Sequence, residues 1–357
     1  MRILVLTTTR RDTAEVSIAE ALSSVHEVTS FDYERQRIIT LRPGFHRLNI
    51  LLHTGLKALK KPATHFADQA LLRWIKGKRF DLIFLVAINT VPPGVVAELK
   101  RETGALVVGW FTDAIVNLGA AEFVSAPYHR IFFKDRIVVD RFRDALATDR
   151  YDYLPQAFDP EIHRPAPARL APKGAEADVA TFGNSYAFRA YLMSALLAQR
   201  DIRTVVYGSP SWIADPQLLA IYRAPVVGLE KSAAMGVTKI ALNTNHFSEL
   251  GGVNKRTFEV TGMGAFQLTD GPCVAEYYEP GVECATFRGP DNLVEKVRYY
   301  LDHPVERSAI ARRGLRRAWR DHTYHSRLNQ AFESIPELRG GPALPVPAGP
   351  PEPESGL

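Results

Sequence analysis

Short apolar runs alternate with segments of helical period along most of this chain, and that alternation restricts the fold more than any other feature. Ile3-Leu4-Val5-Leu6 has the length of a buried strand, and Val16, Ala19 and Leu22 then recur at helical spacing within residues 13–22. Residues 25–31 read as a second strand and 81–86 as another, while Pro92-Pro93 opens a helix over 94–101. Residues 106–110 and 130–133 continue the series. Beyond residue 175 the rhythm restarts, with strands over 178–182, 204–207 and 240–243 and a helix over 189–197. Strands alternating with helices imply parallel sheets covered on both faces. Two such series in 357 residues imply two domains.

Residues 164–175, with Pro165, Pro167, Pro172 and Gly174 among small residues, have the composition of a linker. The expected division is an N-terminal domain over 1–165, a C-terminal domain over 176–335, and a proline-rich tail over 336–357 with too little to bury, expected to be disordered. With 46% hydrophobic and 23% charged residues, the composition suits a soluble globular protein. Cys273 and Cys284, the two cysteines, give no disulfide framework and fit a reducing compartment. No stretch has the length and apolarity of a membrane span, and the run after Met1-Arg2 is too short for the core of a signal peptide. The expected location is cytoplasmic, with no stable membrane insertion and no nucleic-acid partner. The net charge of +5 favours anionic ligands. Its densest stretch, residues 312–320, interleaves arginines with Leu315 and Trp319 as an amphipathic helix with a solvated basic face; contact with an anionic acceptor or membrane surface is the alternative.

Ligands of open parallel sheets bind outside the carboxyl ends of the strands, so the loops after the strand runs are where chemistry belongs. In the second half these begin at Gly183-Asn184, Gly208-Ser209-Pro210, Asn243-Thr244-Asn245-His246 and the stretch 251–259. Gly183, Asn184 and Gly208 can turn backbone N–H groups toward a phosphate, or form plain tight turns. Arg189 lies within reach of the same phosphate, and Asn243 can touch a base or sugar or cap the next helix. In Asn254-Lys255-Arg256-Thr257-Phe258-Glu259, Arg256 offers a planar fork to a pyrophosphate and Glu259 can accept both ribose hydroxyls; a surface ion pair is the competing role.

The loops at the carboxyl edge of the first half are the other place for a substrate and any general base. Asp113 follows a strand and can deprotonate an acceptor hydroxyl if burial raises its pKa, while capping the next helix is the alternative. Arg10, Arg11 and Asn89 line the same edge, and the two arginines suit an anionic acceptor or the leaving phosphate. Ten histidines without ligand spacing indicate no metal site. No Gly-x-x-x-x-Gly-Lys-Ser/Thr loop, no Gly-x-Gly-x-x-Gly after the first strand and no Gly-x-Ser-x-Gly elbow occur, which argues against an NTPase, a dinucleotide dehydrogenase and a serine hydrolase.

Four segments, NKRTFEVTGMGAFQLTD, EYYEPGVECATF, LVEKVRYYLDHP and DHTYHSRL, follow one another across roughly residues 180–330. In that order they resemble the C-terminal half of CgeB-like (spore-protein) glycosyltransferases of the GT-B superfamily. The resemblance implies two Rossmann-like domains facing each other across a cleft, the N-terminal one for the acceptor and the C-terminal one for a nucleotide sugar. It implies transfer of a sugar from a nucleoside-diphosphate-sugar co-substrate to a small-molecule or glycan acceptor, with no further cofactor and no metal. Cationic side chains and helix N-termini would stabilise the leaving diphosphate. Enzymes of the sucrose- and glycogen-synthase type carry two glutamates separated by seven residues. Glu259 matches the second, ribose-binding one, with Gly264 at the expected following position, but Gly251 stands where the first would be. Asn254 and Arg256 compensate, since this subgroup carries Asn and Arg just before its Glu. Retention of configuration is favoured by analogy alone. A non-catalytic nucleotide-sugar-binding protein and a nucleotide-sugar epimerase of the same fold are the rival functions.

Overall fold

The computed structural model describes residues 1–350 apart from 9–11, 37–50, 52–53, 56–58, 60–63, 87, 89, 120, 185, 211–212 and 214. The chain divides into two units: Met1–Leu154 with Leu328–Leu344, and Pro155–Arg327 with the residues from Pro345 onward.

In unit 1, β1 (Arg2–Thr7), β2 (Glu27–Asp32), β3 (Leu82–Val86), β4 (Leu106–Phe111), β5 (Arg130–Phe133) and β6 (Tyr151–Tyr153) form one parallel sheet in the order β2-β1-β3-β4-β5-β6. Every residue of β3 is buried, as a strand covered on both faces requires. The covering helices include α1 (Ala14–Ser23), α2 (His65–Ile75), α3 (Pro93–Thr103) and α4 (Arg136–Leu146). Helix α3 starts on its proline and stops at Gly104, whose φ of +73° is the left-handed conformation that ends helices. Asp135 caps helix α4, accepting from the Ile137 and Val138 amides at 3.0 and 3.4 Å.

In unit 2, β7 (Ala177–Phe182), β8 (Thr204–Tyr207), β9 (Tyr222–Arg223), β10 (Thr238–Asn243), β11 (Gln267–Thr269) and β12 (Ala285–Thr286) form a second parallel sheet, ordered β12-β11-β10-β7-β8-β9. The chain runs outward from β7 through β8 to β9, then returns to the other side of β7 as β10. The paired carboxyl ends of β7 and β10 therefore mark the topological switch point. Its helices are α5 (Ala187–Leu197), α6 (Pro216–Ala220), α7 (Gly228–Gly236), α8 (Arg256–Gly262), α9 (Gly289–Asp302) and α10 (Pro304–Asp321), and α11 (Tyr324–Ser334) carries the chain back to unit 1. Helix α10 is the amphipathic arginine helix: Ile310, Gly314, Ala318 and Trp319 are buried while Arg312, Arg313 and Arg316 are exposed. Trp319 Nε1 donates to the Gly262 carbonyl at 2.9 Å, which seats α8 against α10.

The division differs from the expected one at two places. Residues 155–175 belong to unit 2 and are not a free linker, because Phe158 and His163 are wholly buried and Phe158 meets the Trp319 ring edge-on at 5.7 Å. Among the tail residues described, 336–350, Leu338 and Leu344 are buried, and Asn329 exchanges two hydrogen bonds with the Leu344 backbone at 2.8 and 3.0 Å. Two leucines suffice to dock a proline-rich segment that composition alone marks as loose. Among the described residues no helix is long and apolar enough to cross a membrane.

Candidate functional site

At the switch point of unit 2, β7 ends in Phe182-Gly183-Asn184 and β10 ends in Asn243-Thr244-Asn245, and two arginines converge there. Arg189, from the first turn of α5, is 2% exposed. Its Nε donates to Thr244 Oγ1 at 2.8 Å and its Nη1 to the carbonyls of Gly183 and Asn184 at 3.0 and 2.6 Å. Arg189 thus clamps the two strand-end loops together, with most of its donors used within the protein.

Arg256, the first residue of α8, is half-buried, and its Nη1 donates to the Phe182 carbonyl at 2.6 Å. Its Nε is buried without a hydrogen-bond partner. A Cβ on Gly183 would lie 2.0 Å from Arg256 Nη1, and Gly183 has a φ of +96°, so this position needs glycine for both conformation and space. Among the described residues neither guanidinium is ion-paired to a carboxylate. Burial, and then the charge of Arg256, push the Arg189 pKa well below its ordinary range; burial lowers that of Arg256, with Glu259 opposing. Arginine stays protonated at neutral pH, so two desolvated positive charges side by side call for an anion. No side chain caps the N-terminus of α5, which leaves its backbone donors facing the same direction as its positive dipole end.

Asn243 and Asn254 use their side-chain amides on the frame around the strand end. Asn243 Nδ2 donates to Thr257 Oγ1 at 3.0 Å and to Gln267 Oε1 at 3.3 Å, while its Oδ1 accepts from Asn254 Nδ2 at 3.0 Å. Asn254 Oδ1 accepts the Thr257 amide at 3.2 Å, closing the first turn of α8. Buried amides satisfied in this way fix the loop and leave little for a ligand. Gly208 is a close-packing position, since a Cβ there would lie 2.2 Å from the Gly183 carbonyl oxygen. Asn184 is exposed, its carbonyl held by Arg189. Asp270, after β11, accepts the Asn245 amide at 2.7 Å, and burial raises its pKa.

Glu259 is 2% exposed and already paired: Lys255 Nζ lies 2.7 Å from Oε1 and Lys231 Nζ 3.2 Å from Oε2, with His163 Nε2 at 3.5 Å from Oε1. Two ammonium groups at that distance oppose a divalent cation on this carboxylate. Lys255 is four residues before Glu259 and legible as a helical pair. Lys231 and His163 come from distant segments and carry no sequence signal.

In unit 1, Asp113 is exposed, accepting its neighbour's Ala114 amide at 2.7 Å through Oδ1 and Asn117 Nδ2 at 2.8 Å through Oδ2. These two bonds tie Asp113 to the segment before and within the turn at Ile115–Asn117, whose N-cap is Ala114 with no side-chain cap bond, and leave the carboxylate without the burial that raises a general base's pKa. Arg10, Arg11 and Asn89 lie outside the described residues.

Residues 189–333 match the family described as Glycosyl transferase-like. No curated protein matches by sequence. The fold is similar to that of HepE from Anabaena, crystallised with UDP and glucose, with a TM-score of 0.65 at 12% identity over 94% of this chain and 100% of that one. It is also similar to sucrose-phosphate synthase from Thermosynechococcus elongatus, with a TM-score of 0.59 at 10% identity over 95% and 99% of the two chains. The fold is GT-B. AviGT4, a glycosyltransferase involved in avilamycin A biosynthesis, shares the GT-B fold with a TM-score of 0.58 at 14% identity over 96% and 98% of the two chains. The two parallel-sheet units are its Rossmann-like domains, and the matched stretch opens at Arg189 and includes α8 with Arg256 and Glu259.

Proposed function

We propose that the protein is a glycosyltransferase that takes a sugar from a nucleoside-diphosphate donor, with unit 2 holding the nucleotide. The observation that carries this reading is Arg256, whose Nε is desolvated and unpartnered, set beside the second buried cation Arg189 at the switch point. As the glycosidic bond breaks, the departing diphosphate gains charge, and preorganised guanidinium donors stabilise it without reorganisation. In this reading Arg256 grips the diphosphate, Arg189 holds the loops in place, and Gly183 and Asn184 with the start of α5 supply backbone donors. Glu259 takes the ribose hydroxyls. Gly208, Asn243 and Asn254 keep the floor of the site rigid. HepE, which has the same fold, was crystallised with UDP and glucose, and this supports a uridine diphosphate hexose as the first donor to try.

Unit 1 would receive the acceptor, with Arg10, Arg11 and Asn89 as its candidate contacts. A hexosyl donor, independence from metal, a cytoplasmic location and membership of the CgeB-like subgroup belong to the same proposal. The charge already supplied by the arginines and by the lysines around Glu259 supports metal independence. A thermal-shift screen with UDP, GDP, dTDP and CDP, followed by assay of UDP release from UDP-glucose with and without EDTA, tests the reading. Binding and EDTA-insensitive turnover support it; tight binding without turnover points to a nucleotide-sugar binder, and no diphosphate binding overturns it.

A further inference from the structure

We propose that Lys231 is a positioning residue for Glu259, fixing the carboxylate in the orientation that receives the ribose. This rests on the reading of Glu259 as the ribose acceptor. Lysine is almost never buried unless paired, and the Lys231 side chain is 10% exposed against a Glu259 side chain at 2%. It reaches Glu259 from α7, a different helix, so it locks the carboxylate against rotation in a way a neighbour on α8 cannot. Lys255 is the more exposed partner, at 24%, and sits on the same helical face.

His163 adds a third restraint. The Asp159 amide donates to His163 Nδ1 at 3.2 Å, so a neutral ring carries its hydrogen on Nε2, the atom facing Glu259 Oε1. Three segments of unit 2 therefore hold one carboxylate before any ligand arrives. An incoming ribose diol meets an acceptor already aimed, and Lys255, the solvent-facing partner, is the group that can yield its place to a hydroxyl. A carboxylate held in this way reads both ribose hydroxyls and distinguishes a ribonucleotide from its 2′-deoxy form.

The test compares calorimetric affinities for UDP and 2′-deoxy-UDP in the wild type, Lys231→Met, Glu259→Gln and the double variant, each checked for fold by circular dichroism. The wild type is expected to prefer UDP by about 10- to 100-fold. Lys231→Met should cut that preference by about tenfold while affinity for 2′-deoxy-UDP stays within about threefold. Lys231→Arg should restore the preference, and Lys231→Met should add little in the Glu259→Gln background, because both act through one group. If Lys231→Met does not fold, Lys231→Gln takes its place with the same expected fall. Full preference retained in a folded Lys231 variant, or additive losses in the double variant, overturns the role of Lys231 alone. Equal wild-type affinity for the two nucleotides removes Glu259 from the ribose and the proposal with it, whereas no affinity for UDP strikes the glycosyltransferase reading itself.

Discussion

Gly183→Ala is the sharpest perturbation of the proposed diphosphate site. An alanine there must adopt a φ of +96° that L-residues avoid, at a strain of about 1–2 kcal/mol. Its Cβ would also fall 2.0 Å from Arg256 Nη1. That nitrogen is the end of a flexible side chain, so the guanidinium moves and the backbone stays. The move breaks the 2.6 Å bond to the Phe182 carbonyl, worth about 1–2 kcal/mol for a charged donor. A stability loss of about 2–4 kcal/mol should lower the melting midpoint by roughly 5–15 °C. The displaced Arg256 should weaken UDP by about 10- to 100-fold in calorimetry.

Two other glycines separate the causes. Gly104 also has positive φ, +73°, but nothing lies within 4 Å of an added Cβ, so Gly104→Ala should show strain alone and leave UDP affinity unchanged. At Gly208 the added Cβ would meet the Gly183 carbonyl oxygen at 2.2 Å and its carbon at 2.7 Å. Backbone cannot swing aside, so Gly208→Ala should destabilise more than Gly183→Ala. A folded Gly183→Ala protein that binds UDP as tightly as the wild type would refute the assignment of Arg256.

Other expectations are simpler. Arg256→Lys should weaken UDP by about tenfold in calorimetry, because a point charge cannot reproduce the fork, and unchanged affinity would leave only charge or nothing at that position. Truncation after Ile335 removes buried Leu338 and Leu344 and the two bonds to Asn329, so thermal melts should show a loss of about 3–5 kcal/mol; an unchanged midpoint would mean the tail is not docked. Asp113→Asn should keep kcat within about threefold, since Asp113 is exposed and an asparagine Oδ1 can still accept the Ala114 amide, whereas a loss of about a hundredfold or more would make Asp113 the base. Burial and the Arg327 charge lower the His322 pKa from 6.5 to about 3. The unfolded chain then binds a proton that the folded one refuses, so stability should fall as pH drops from about 6.5 toward 3. His322→Gln should narrow the gap in melting midpoint between about pH 7 and pH 5, and an undiminished gap would contradict this.

Alternation of apolar runs and helical periods, with Pro92-Pro93 opening α3, is a local property, and it sufficed to define two parallel α/β units. Arg256 and Glu259 were legible because they share one short segment behind a strand. What they touch was not. Arg189 gave the same sequence signal as Arg256, yet packing spends its donors on the carbonyls of Gly183 and Asn184 and leaves the Arg256 Nε bare. Lys231 meets Glu259 from another helix, and Phe158 draws a proline-rich stretch into the core of unit 2. Asp113, singled out for its place behind a strand, is exposed and bonded to Asn117. Residue type and spacing determine which segments become strands and helices, since those preferences act over a few residues. Burial, charge pairing and the direction of a donor depend on residues remote in the chain, and only their packing decided which of the candidate groups are spent on partners within the protein.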